Sequence, residues 1–366
     1  MLLESIEVEK FRNLDGKLPC CIGLNILVGD NGHGKTNWLE AIHVLATTRS
    51  FKTAKLQETI RFGEELAIIR GRVEQSEDIH RDLQAALQGN MKSFTVNGKR
   101  ETIQRYLGQL HAVIFNADEL EIVRGQPENR RKFLDGAIVS IYPPFVQTLL
   151  DYSRIVKQKN ALLAAAREND DSIEKTAELL GPWNDQLTKL ASRIHKARVR
   201  FVERLNEVLE KKLFAGEELS IRYLSSLEGK GDLADYEALI TERLNLRLQA
   251  EIAVGYSLVG THRDDLEILF DGHDLRKFGS AGQQRSALLL LLLANLSVYH
   301  SQRQEYPLFL LDDIDAELDY KRIGHLLEFL RNKTQTFVTT SKESFAKQFG
   351  IDAQVFMIEN GEAQIL

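Results

Sequence analysis

The 366-residue chain is poor in the features that define several protein classes. Its only cysteines are Cys20 and Cys21, and because they are adjacent they predict reduced thiols, and neither a disulfide framework nor a metal knuckle. The longest apolar run, from Ala287 to Ala294, is far shorter than the ~20 residues that a membrane-spanning helix needs. No basic segment followed by an apolar one opens the sequence, so we expect no secretory signal and a cytoplasmic location.

One glycine-rich segment fits the phosphate-binding loop, in which two glycines with four residues between them precede Lys and Thr. It consists of Gly29, Asp30, Asn31, Gly32, His33, Gly34, Lys35 and Thr36. An apolar run from Ile22 to Val28 predicts a buried strand before the loop, and Leu39 and Ile42 continue a helical pattern after it. The glycines let backbone N–H groups face phosphate oxygens at a helix N-terminus. A glycine-rich turn that binds nothing is the alternative.

Lys35 and Thr36 give this loop its expected chemistry. We expect the Lys35 ammonium to reach the β- and γ-phosphates of ATP, which makes it a catalytic as well as a binding residue. The Thr36 hydroxyl is expected to bind Mg²⁺. ATP and Mg²⁺ are therefore the predicted cofactors.

Two carboxylates follow a short apolar strand from Leu308 to Leu311. Asp312, at the end of that strand, is predicted to approach the Mg²⁺ of the phosphate-binding loop. Asp313 is predicted to polarise the attacking water, since neighbouring side chains of a strand point in different directions. The alternative is an acidic N-cap cluster for the next helix, a role that Asp315 and Asp319 can fill.

A third segment precedes a leucine-rich helix and contains Ser280, Ala281, Gly282, Gln283 and Gln284. Its small residues at a helix N-terminus form a second candidate anion site. We expect Ser280, Gly282 and Gln283 to meet the γ-phosphate of ATP held by a partner subunit, so that ATP joins two heads. An ordinary helix start is the alternative.

In their order and spacing these segments resemble the RecF recombination proteins, relatives of the SMC and ABC-type ATPases. The shared motifs are Phe11-Arg12-Asn13, Gly34-Lys35-Thr36-Asn37, Arg49-Ser50-Phe51-Lys52, Pro127 to Asp135, Lys157 to Leu163, His262-Arg263-Asp264-Asp265, Gly282 to Arg285, Leu311-Asp312-Asp313 and Glu317-Leu318-Asp319. The resemblance adds Asn37 to the expected nucleotide contacts, and Asn116 and Asp118 as contacts of a lid segment. Thr261 and the segment Phe115 to Asp118 depart from the family pattern by lacking its prolines.

The resemblance implies an α/β fold, an ABC/SMC-type P-loop ATPase head with an inserted, mainly helical arm lobe. We place the N-terminal part of the head at residues 1–125, the arm at 126–250, and the C-terminal part, with the signature segment and the carboxylates, at 251–366. Hairpin signals at Asp15-Gly16 and Asn97-Gly98 fall in the first part.

The resemblance also implies a function in bacterial recombinational repair. It implies a weak Mg²⁺-dependent ATPase that DNA stimulates, in which ATP joins two copies on DNA and hydrolysis releases them. The expected DNA is double-stranded, gapped or junction DNA. The implied partners are RecO and RecR, with which the protein would help RecA to load at single-strand gaps and stalled forks; no membrane is involved.

DNA binding would require a local basic surface, because 47 Lys and Arg against 53 Asp and Glu give a net charge of −6. One set of basic residues recurs at helical spacing: Lys189, Arg193, Lys196, Arg200 and Arg204. Further candidates are Arg49, Lys52, Arg130, Arg131 and Lys132. The alternative for the helical set is a solvated face neutralised by Glu203 and Glu207.

Three other classes fit the sequence less well. A transporter ATPase subunit would need a shorter gap between the phosphate-binding loop and the signature segment, and a His where Phe337 to Ser341 offers hydroxyls. A chromosome tether would need long heptad arms. A GTPase would need Asp where Gln335 ends the run Asn332-Lys333-Thr334.

Overall fold

Two compact units make up the chain in this computed structural model, which describes residues 1–76, 79–211 and 218–366. The first unit contains Met1–Leu120 and Gln284–Leu366, and the second contains Glu121–Gln283. The divisions predicted from the sequence fall at 125 and 250. The main difference is the stretch 251–283, which contains a strand that pairs inside the second unit.

Strands dominate the N-terminal part of the chain, helices its middle, and the two are mixed after Val254. The strands are β1 (Leu2–Phe11), β2 (Leu14–Pro19), β3 (Leu24–Val28), β4 (Leu66–Ser76), β5 (Ile79–Gln88), β6 (Met91–Val96), β7 (Lys99–Arg100), β8 (Ala112–Phe115), β9 (Leu219–Leu224), β10 (Asp265–Phe270), β11 (His273–Asp274), β12 (Leu308–Leu311), β13 (Thr336–Thr340), β14 (Ala353–Glu359) and β15 (Glu362–Ile365). The α-helices are α1 (Lys35–Thr47), α2 (Ile103–Tyr106), α3 (Glu121–Arg124), α4 (Pro127–Ile141), α5 (Phe145–Glu168), α6 (Ile173–Leu209), α7 (Tyr236–Val254), α8 (Leu275–Phe278), α9 (Ala281–Arg303), α10 (Ile314–Glu317), α11 (Tyr320–Leu330) and α12 (Glu343–Phe349). Short 3₁₀ helices span Leu56–Thr59, Asp118–Leu120 and Thr261–Arg263.

An antiparallel sheet with the strand order β2-β1-β4-β5-β6-β7 forms one layer of the first unit. Asn97 and Gly98 join β6 to β7 with φ angles of 50° and 75°, which confirms the hairpin predicted there. The other hairpin prediction is wrong in position. Phe11 pairs with Leu14, so the chain turns before Asp15-Gly16, which lie within β2.

A mainly parallel sheet forms the other layer, in the order β15-β14-β3-β13-β12-β8. Only the pairing of β14 with β15 is antiparallel. β3 lies between β13 and β14, and β13 separates β3 from β12. The carboxyl ends of β3, β13 and β12 therefore meet at one edge of the sheet, where open α/β sheets bind their ligands.

Helix α1 packs against both sheets of the first unit and lies within its hydrophobic core. Trp38, Leu39, Ile42 and Leu45 are fully buried, and each such side chain contributes roughly 1.5–3 kcal/mol through its burial. The indole N–H of Trp38 donates to the carbonyl of Gly361 at 3.1 Å. The start of α1 is therefore fixed by the packing of the whole helix.

Helices and a three-stranded sheet, β11-β10-β9, form the second unit. Lys159 of α5 and Glu251 of α7 form a fully buried ion pair at 2.8 Å. Burial lowers the pKa of Lys159, and the Glu251 carboxylate opposes that shift. Arg198 of α6 donates two bonds of 2.8 Å to Asp135 of α4. Each of these pairs joins two helices that are distant in the sequence. Each charge needs its partner, because an unpaired buried charge would cost several kcal/mol.

Among the described helices, none combines the length and the apolar character that crossing a bilayer requires.

Candidate nucleotide site and basic surfaces

The loop between β3 and α1 is shaped by its glycines. A β-carbon on Gly29 would lie 2.3 Å from the carbonyl oxygen of Ile358, so only glycine fits where the loop leaves the sheet. Gly34 begins α1 with a φ of 105°, and no side chain caps the helix. The first N–H groups of α1 therefore lack a side-chain acceptor at the positive end of the helix dipole. This arrangement fits a phosphate group.

Lys35 lies beneath this loop. It is only 5% exposed, and its Nζ donates to the carbonyls of Gly29 at 2.7 Å and Asp30 at 2.9 Å. The tip of the loop, Asp30 to Gly32, is exposed, and His33 is half-buried. A buried ammonium beside an exposed glycine-rich tip suits an anionic ligand, because the charge is desolvated and already oriented.

Thr36, Asp312 and Thr339 meet at the carboxyl edge of the parallel sheet. The hydroxyls of Thr36 and Thr339 both donate to Oδ1 of Asp312, at 2.8 Å and 2.7 Å. Burial raises the pKa of Asp312, whereas the two hydroxyl donors lower it. The contact exists because β13 carries Thr339 between the strands that lead to Thr36 and Asp312.

The residues of this cluster suit a magnesium ion. Thr36 and Asp312 supply a hydroxyl and a carboxylate oxygen, the hard donors that Mg²⁺ prefers. Mg²⁺ in phosphoryl-transfer sites is commonly held by one or two such side chains together with phosphate oxygens. Thr36 and Asp312 are thus the pair that would hold it.

Asp313 differs from its neighbour in exposure and backbone. It is exposed, it precedes α10 in a left-handed conformation with a φ of 46°, and its N–H donates to the Thr339 hydroxyl at 2.8 Å. Neither Asp312 nor Asp313 caps a helix through its side chain, whereas Asp319 caps α11 by accepting from the N–H of Arg322. The acidic-cap alternative therefore applies to Asp319, and the carboxylate of Asp313 is exposed beside the Asp312 cluster.

The signature segment, Ser280 to Gln284, begins α9, and its first four residues are exposed and belong to the second unit. Gln283 N–H donates to the Ser280 hydroxyl at 3.2 Å, and Ser280 N–H donates back to Gln283 Oε1 at 2.9 Å. This reciprocal pair is a capping box. A β-carbon on Gly282 would meet only Ser280 Oγ, at 4.0 Å. The segment is a well-formed helix start whose outer face is accessible, and its contact with a second copy stays a prediction.

Five basic side chains of α6 lie exposed along one face of the helix. They are Lys189, Arg193, Lys196, Arg200 and Arg204. At 3.6 residues per turn they cover roughly a quarter of the helix circumference. No salt bridge joins any of them to a carboxylate of the described residues, including Glu203 and Glu207. We call this set the α6 basic face; its charge is not neutralised by pairing.

The basic residues of α4 have a different environment. Arg130 is 3% exposed, and its guanidinium donates to both carboxylate oxygens of Asp265, at 2.7 Å and 3.0 Å, and to the carbonyl of Gly125. Arg131 is half-buried and donates to the carbonyl of Asp264 at 2.6 Å. The contact of Arg130 with DNA stays a prediction, and its burial and these internal bonds do not favour it.

Arg49 and Lys52 follow α1 in the first unit. Arg49 is exposed, and its carbonyl is bonded to His43 and Thr47. The Lys52 Nζ donates to Asn37 Oδ1 at 2.9 Å, so this side chain faces the first turn of α1. Lys52 thus lies with the nucleotide-site residues of its unit.

Sequence reasoning missed one buried contact of the site. Glu40 of α1 is fully buried; Arg12 donates two bonds to its carboxylate, at 3.1 Å and 2.9 Å, and Ser50 donates one at 2.5 Å. The available signal was that Arg12 and Ser50 lie in the short motifs Phe11-Arg12-Asn13 and Arg49-Ser50. The sequence alone assigns no role to these motifs. Glu40 therefore holds the segments that contain Arg12 and Ser50 against α1, the helix that follows the phosphate-binding loop.

The lid segment uses one of its polar side chains internally. Asn116 is 4% exposed, and its Oδ1 accepts from the N–H of Glu119 at 2.9 Å. Burial raises the pKa of Glu119 to about 7, and the charge of Asp118 acts in the same direction. Asn116 therefore shapes the turn, whereas Asp118 is exposed.

Comparison with known proteins gives matches over nearly the whole length of the chain. The family model of the RecF/RecN/SMC N terminal domain matches residues 2–364. A Staphylococcus aureus protein (strain bovine RF122 / ET3-1) described as DNA replication and repair protein RecF is 36% identical over 374 aligned residues, which cover 99% of each chain.

Solved structures give the same result for the fold. A structure of the recombination mediator protein RecF-ATP in the RecFOR pathway has a TM-score of 0.90 and 32% identity, covering 100% of this chain and 97% of that one. An Smc head domain derived from Pyrococcus furiosus, bound to the C-terminal domain of ScpA, has a TM-score of 0.56 at 17% identity and covers 100% and 95%; this shows a shared fold. The predicted α/β head of ABC/SMC type with an inserted arm is confirmed. The chain therefore belongs to the RecF family.

Proposed function

We propose that this protein is an ATP-dependent DNA-binding protein of bacterial recombinational repair. The observation that carries the proposal is the contact of Thr36 with Asp312 at 2.8 Å, formed at the sheet edge beside a glycine-rich loop and a buried lysine. This geometry brings a hydroxyl and a carboxylate to the place where an Mg²⁺–ATP complex would be held. The solved RecF structure with ATP supports the same ligand.

The site residues divide the chemistry among them. Lys35 and the first N–H groups of α1 would bind the phosphates, and Thr36 with Asp312 would hold Mg²⁺, which neutralises charge on the transferred phosphoryl group. Asp313 would orient the attacking water through its exposed carboxylate. A site of this kind supports slow Mg²⁺-dependent hydrolysis, which we propose that DNA stimulates.

DNA would bind through the α6 basic face and the exposed Arg49, with Arg131 as a further candidate. The absence of ion pairing on the α6 basic face, among the residues that the structure describes, supports this part of the proposal. Free cationic side chains attract phosphates without reading base edges, so binding to double-stranded, gapped or junction DNA should be independent of sequence. By family membership we propose RecO and RecR as partners, with RecA loading at gaps and stalled forks as the outcome.

Charge reversal at Arg193 and Arg200 tests the DNA surface. The double variant Arg193→Glu and Arg200→Glu should bind every duplex more weakly, and the slope of log affinity against log salt should flatten by about one unit per lost phosphate contact. Fluorescence anisotropy with two unrelated duplexes at several salt concentrations measures both quantities. ATP hydrolysis without DNA should be unchanged, because neither residue lies in the first unit.

A matched control reverses the same number of charges elsewhere in the second unit. Arg154 on α5 and Arg247 on α7 are both exposed, so Arg154→Glu with Arg247→Glu changes net charge equally. We expect the control to keep most of the affinity. Equal weakening by both pairs would show a net-charge effect only and would return the α6 basic face to an ordinary solvated surface.

ATP-driven joining of two copies is the second part of the proposal. Ser280→Arg should leave the ATP affinity of one copy unchanged, since Lys35 and Thr36 are untouched. The new side chain should block the doubling in mass that light scattering detects after ATP is added, because the accessible start of α9 would no longer admit a phosphate. Ser280→Arg also removes the helix cap of α9, which lowers the stability of the protein by about 1 kcal/mol. Thermal unfolding of the variant should be measured to correct for this loss.

Ser220, an exposed serine of β9 in the same unit, provides the control Ser220→Arg. This variant should still dimerise with ATP. If Ser280→Arg also doubles in mass, then the signature segment does not act between copies.

A further inference from the structure

A groove of about 600 Å³ lies between α6 and α7 of the second unit. The residues that form its walls include Asp185, Thr188 and Lys189 on α6, and Glu237, Thr241 and Glu242 on α7. None of them takes part in the proposed nucleotide site, and only Lys189 belongs to the α6 basic face. The groove is therefore a separate feature of the surface.

Carboxylates dominate the charge of this groove. Asp185, Glu237 and Glu242 are exposed, and Lys189 is the one ammonium among the described residues that line it. Across the described ranges of the chain, no salt bridge uses any of these four side chains. The uncompensated carboxylates would repel the phosphates of a nucleic acid and attract a cationic group.

Thr188 supplies a polar atom without a partner. It is only 8% exposed, and because it lines the groove, its exposed part faces the groove. Thr176 of α6 and Thr241 of α7 each donate their hydroxyl to a carbonyl one turn earlier in the helix. The Thr188 hydroxyl makes no hydrogen bond to any residue that the structure describes. A hydroxyl left unpaired in the groove can accept from a donor of a ligand.

The charged part of the groove borders an apolar end. Pro182 lies one turn before Asp185 on α6, and Leu246 lies one turn after Glu242 on α7. Both are exposed, Leu246 at 63%. Arg167, near the end of α5, donates to a carbonyl at the end of α7 at 3.1 Å, so α7 ends close to where α6 begins. Pro182 and Leu246 therefore lie on the same side of the charged part.

We propose that this groove is the docking site for a short segment of a partner protein that carries lysine or arginine next to a leucine-like side chain. Its cationic groups would meet the three carboxylates, and one of them would donate to the Thr188 hydroxyl. Its apolar side chain would pack against Leu246. A second copy of this chain fits less well, because its net charge is −6 and copies repel each other.

The test measures fluorescence anisotropy of a labelled decapeptide in which lysines alternate with leucines, without ATP or DNA. The parent should bind it saturably, and the affinity should fall as salt rises, because the carboxylates are exposed. Glu237→Gln with Glu242→Gln should bind about tenfold more weakly, since two exposed ion pairs are lost. A peptide with glutamates in place of the lysines should not bind, and one with alanines in place of the leucines should bind more weakly.

Thr188→Val removes the hydroxyl and keeps the shape of the side chain. This variant should bind the lysine–leucine peptide about tenfold more weakly, because a hydrogen bond to a charged donor is lost. Its thermal unfolding should match that of the parent, since no other group of the protein loses a partner. Parent-like binding, or a loss of binding that accompanies a loss of stability, would contradict the role of the hydroxyl.

Glu203→Gln with Glu207→Gln provides the matched control. It removes two exposed carboxylates of α6 that do not line the groove, and it should bind the peptide like the parent. Equal weakening by both double variants would show general attraction to an acidic chain and overturn the inference. The absence of saturable binding by the parent would do the same.

Two further outcomes would assign the groove to another occupant and overturn the inference. Displacement of the peptide by an equal concentration of spermidine would show a site for small polyamines. A doubling in mass of the parent without ATP, abolished in Glu237→Gln with Glu242→Gln, would show a contact between copies. None of these measurements requires ATP or DNA, so this inference and the proposed function can fail separately.

Discussion

Lys35→Ala should weaken the affinity for Mg²⁺–ATP by about 100-fold or more, roughly 2.7 kcal/mol. The Lys35 ammonium is buried and is held by the carbonyls of Gly29 and Asp30, so its bonds to phosphate would form in a poorly solvated place. Charge-assisted bonds in such places are about twice as strong as neutral ones. Calorimetric titration of the folded variant measures the loss.

Lys17→Ala is the control for this experiment, because Lys17 is an exposed lysine of β2 in the same unit. It should bind Mg²⁺–ATP like the parent. Removing Lys35 also takes one donor from each of the carbonyls of Gly29 and Asp30, so thermal unfolding should accompany the titration. A folded Lys35→Ala variant with unchanged nucleotide affinity would reject the phosphate-binding loop.

Asp312→Asn should lower Mg²⁺-dependent turnover by about 100- to 1000-fold, the range found when one preorganised group that stabilises transition-state charge is removed. A neutral amide is a poorer ligand than a carboxylate for a hard cation. The amide oxygen can still accept from Thr36 and Thr339, so the fold should be preserved. A steady-state phosphate-release assay over a range of Mg²⁺ concentrations measures the effect.

Asp352→Asn removes an exposed carboxylate of the same unit, one that pairs with Arg331. Surface pairs contribute little, so turnover should not change. Turnover by Asp312→Asn at the parent rate and with the parent Mg²⁺ dependence would contradict the metal role of Asp312.

The sequence predicts those parts of the site that are contiguous in the chain. Gly29 to Thr36 carries both the glycines and the Lys-Thr pair, and the apolar period on each side places β3 and α1 to within a few residues. The strand prediction is too long at one end, where Ile22 is 71% exposed. The contact of Thr339 with Asp312 depends on strand order, which local periodicity does not contain.

Basic residues show a second limit of sequence reasoning. Spacing at three and four residues places Arg193 and Arg200 on one helix face, and the structure leaves both exposed. Arg130 and Arg131 are consecutive, so they point in directions about 100° apart on α4. Local spacing does not show that Arg130 is the more deeply buried of the two, because its partner Asp265 lies 135 residues away.

The strand order of the parallel sheet also determines when the nucleotide site can form during synthesis. β3, which leads into the phosphate-binding loop, pairs only with β13 and β14 among the described strands, and these leave the ribosome some three hundred residues later. Until then β3 lacks both of its partner strands. Sheets that depend on such distant pairings fold slowly, and their unpaired strands are prone to aggregate. A nascent chain that has reached the α6 basic face therefore carries the phosphate-binding sequence without its sheet, and chaperones would meet it in that form.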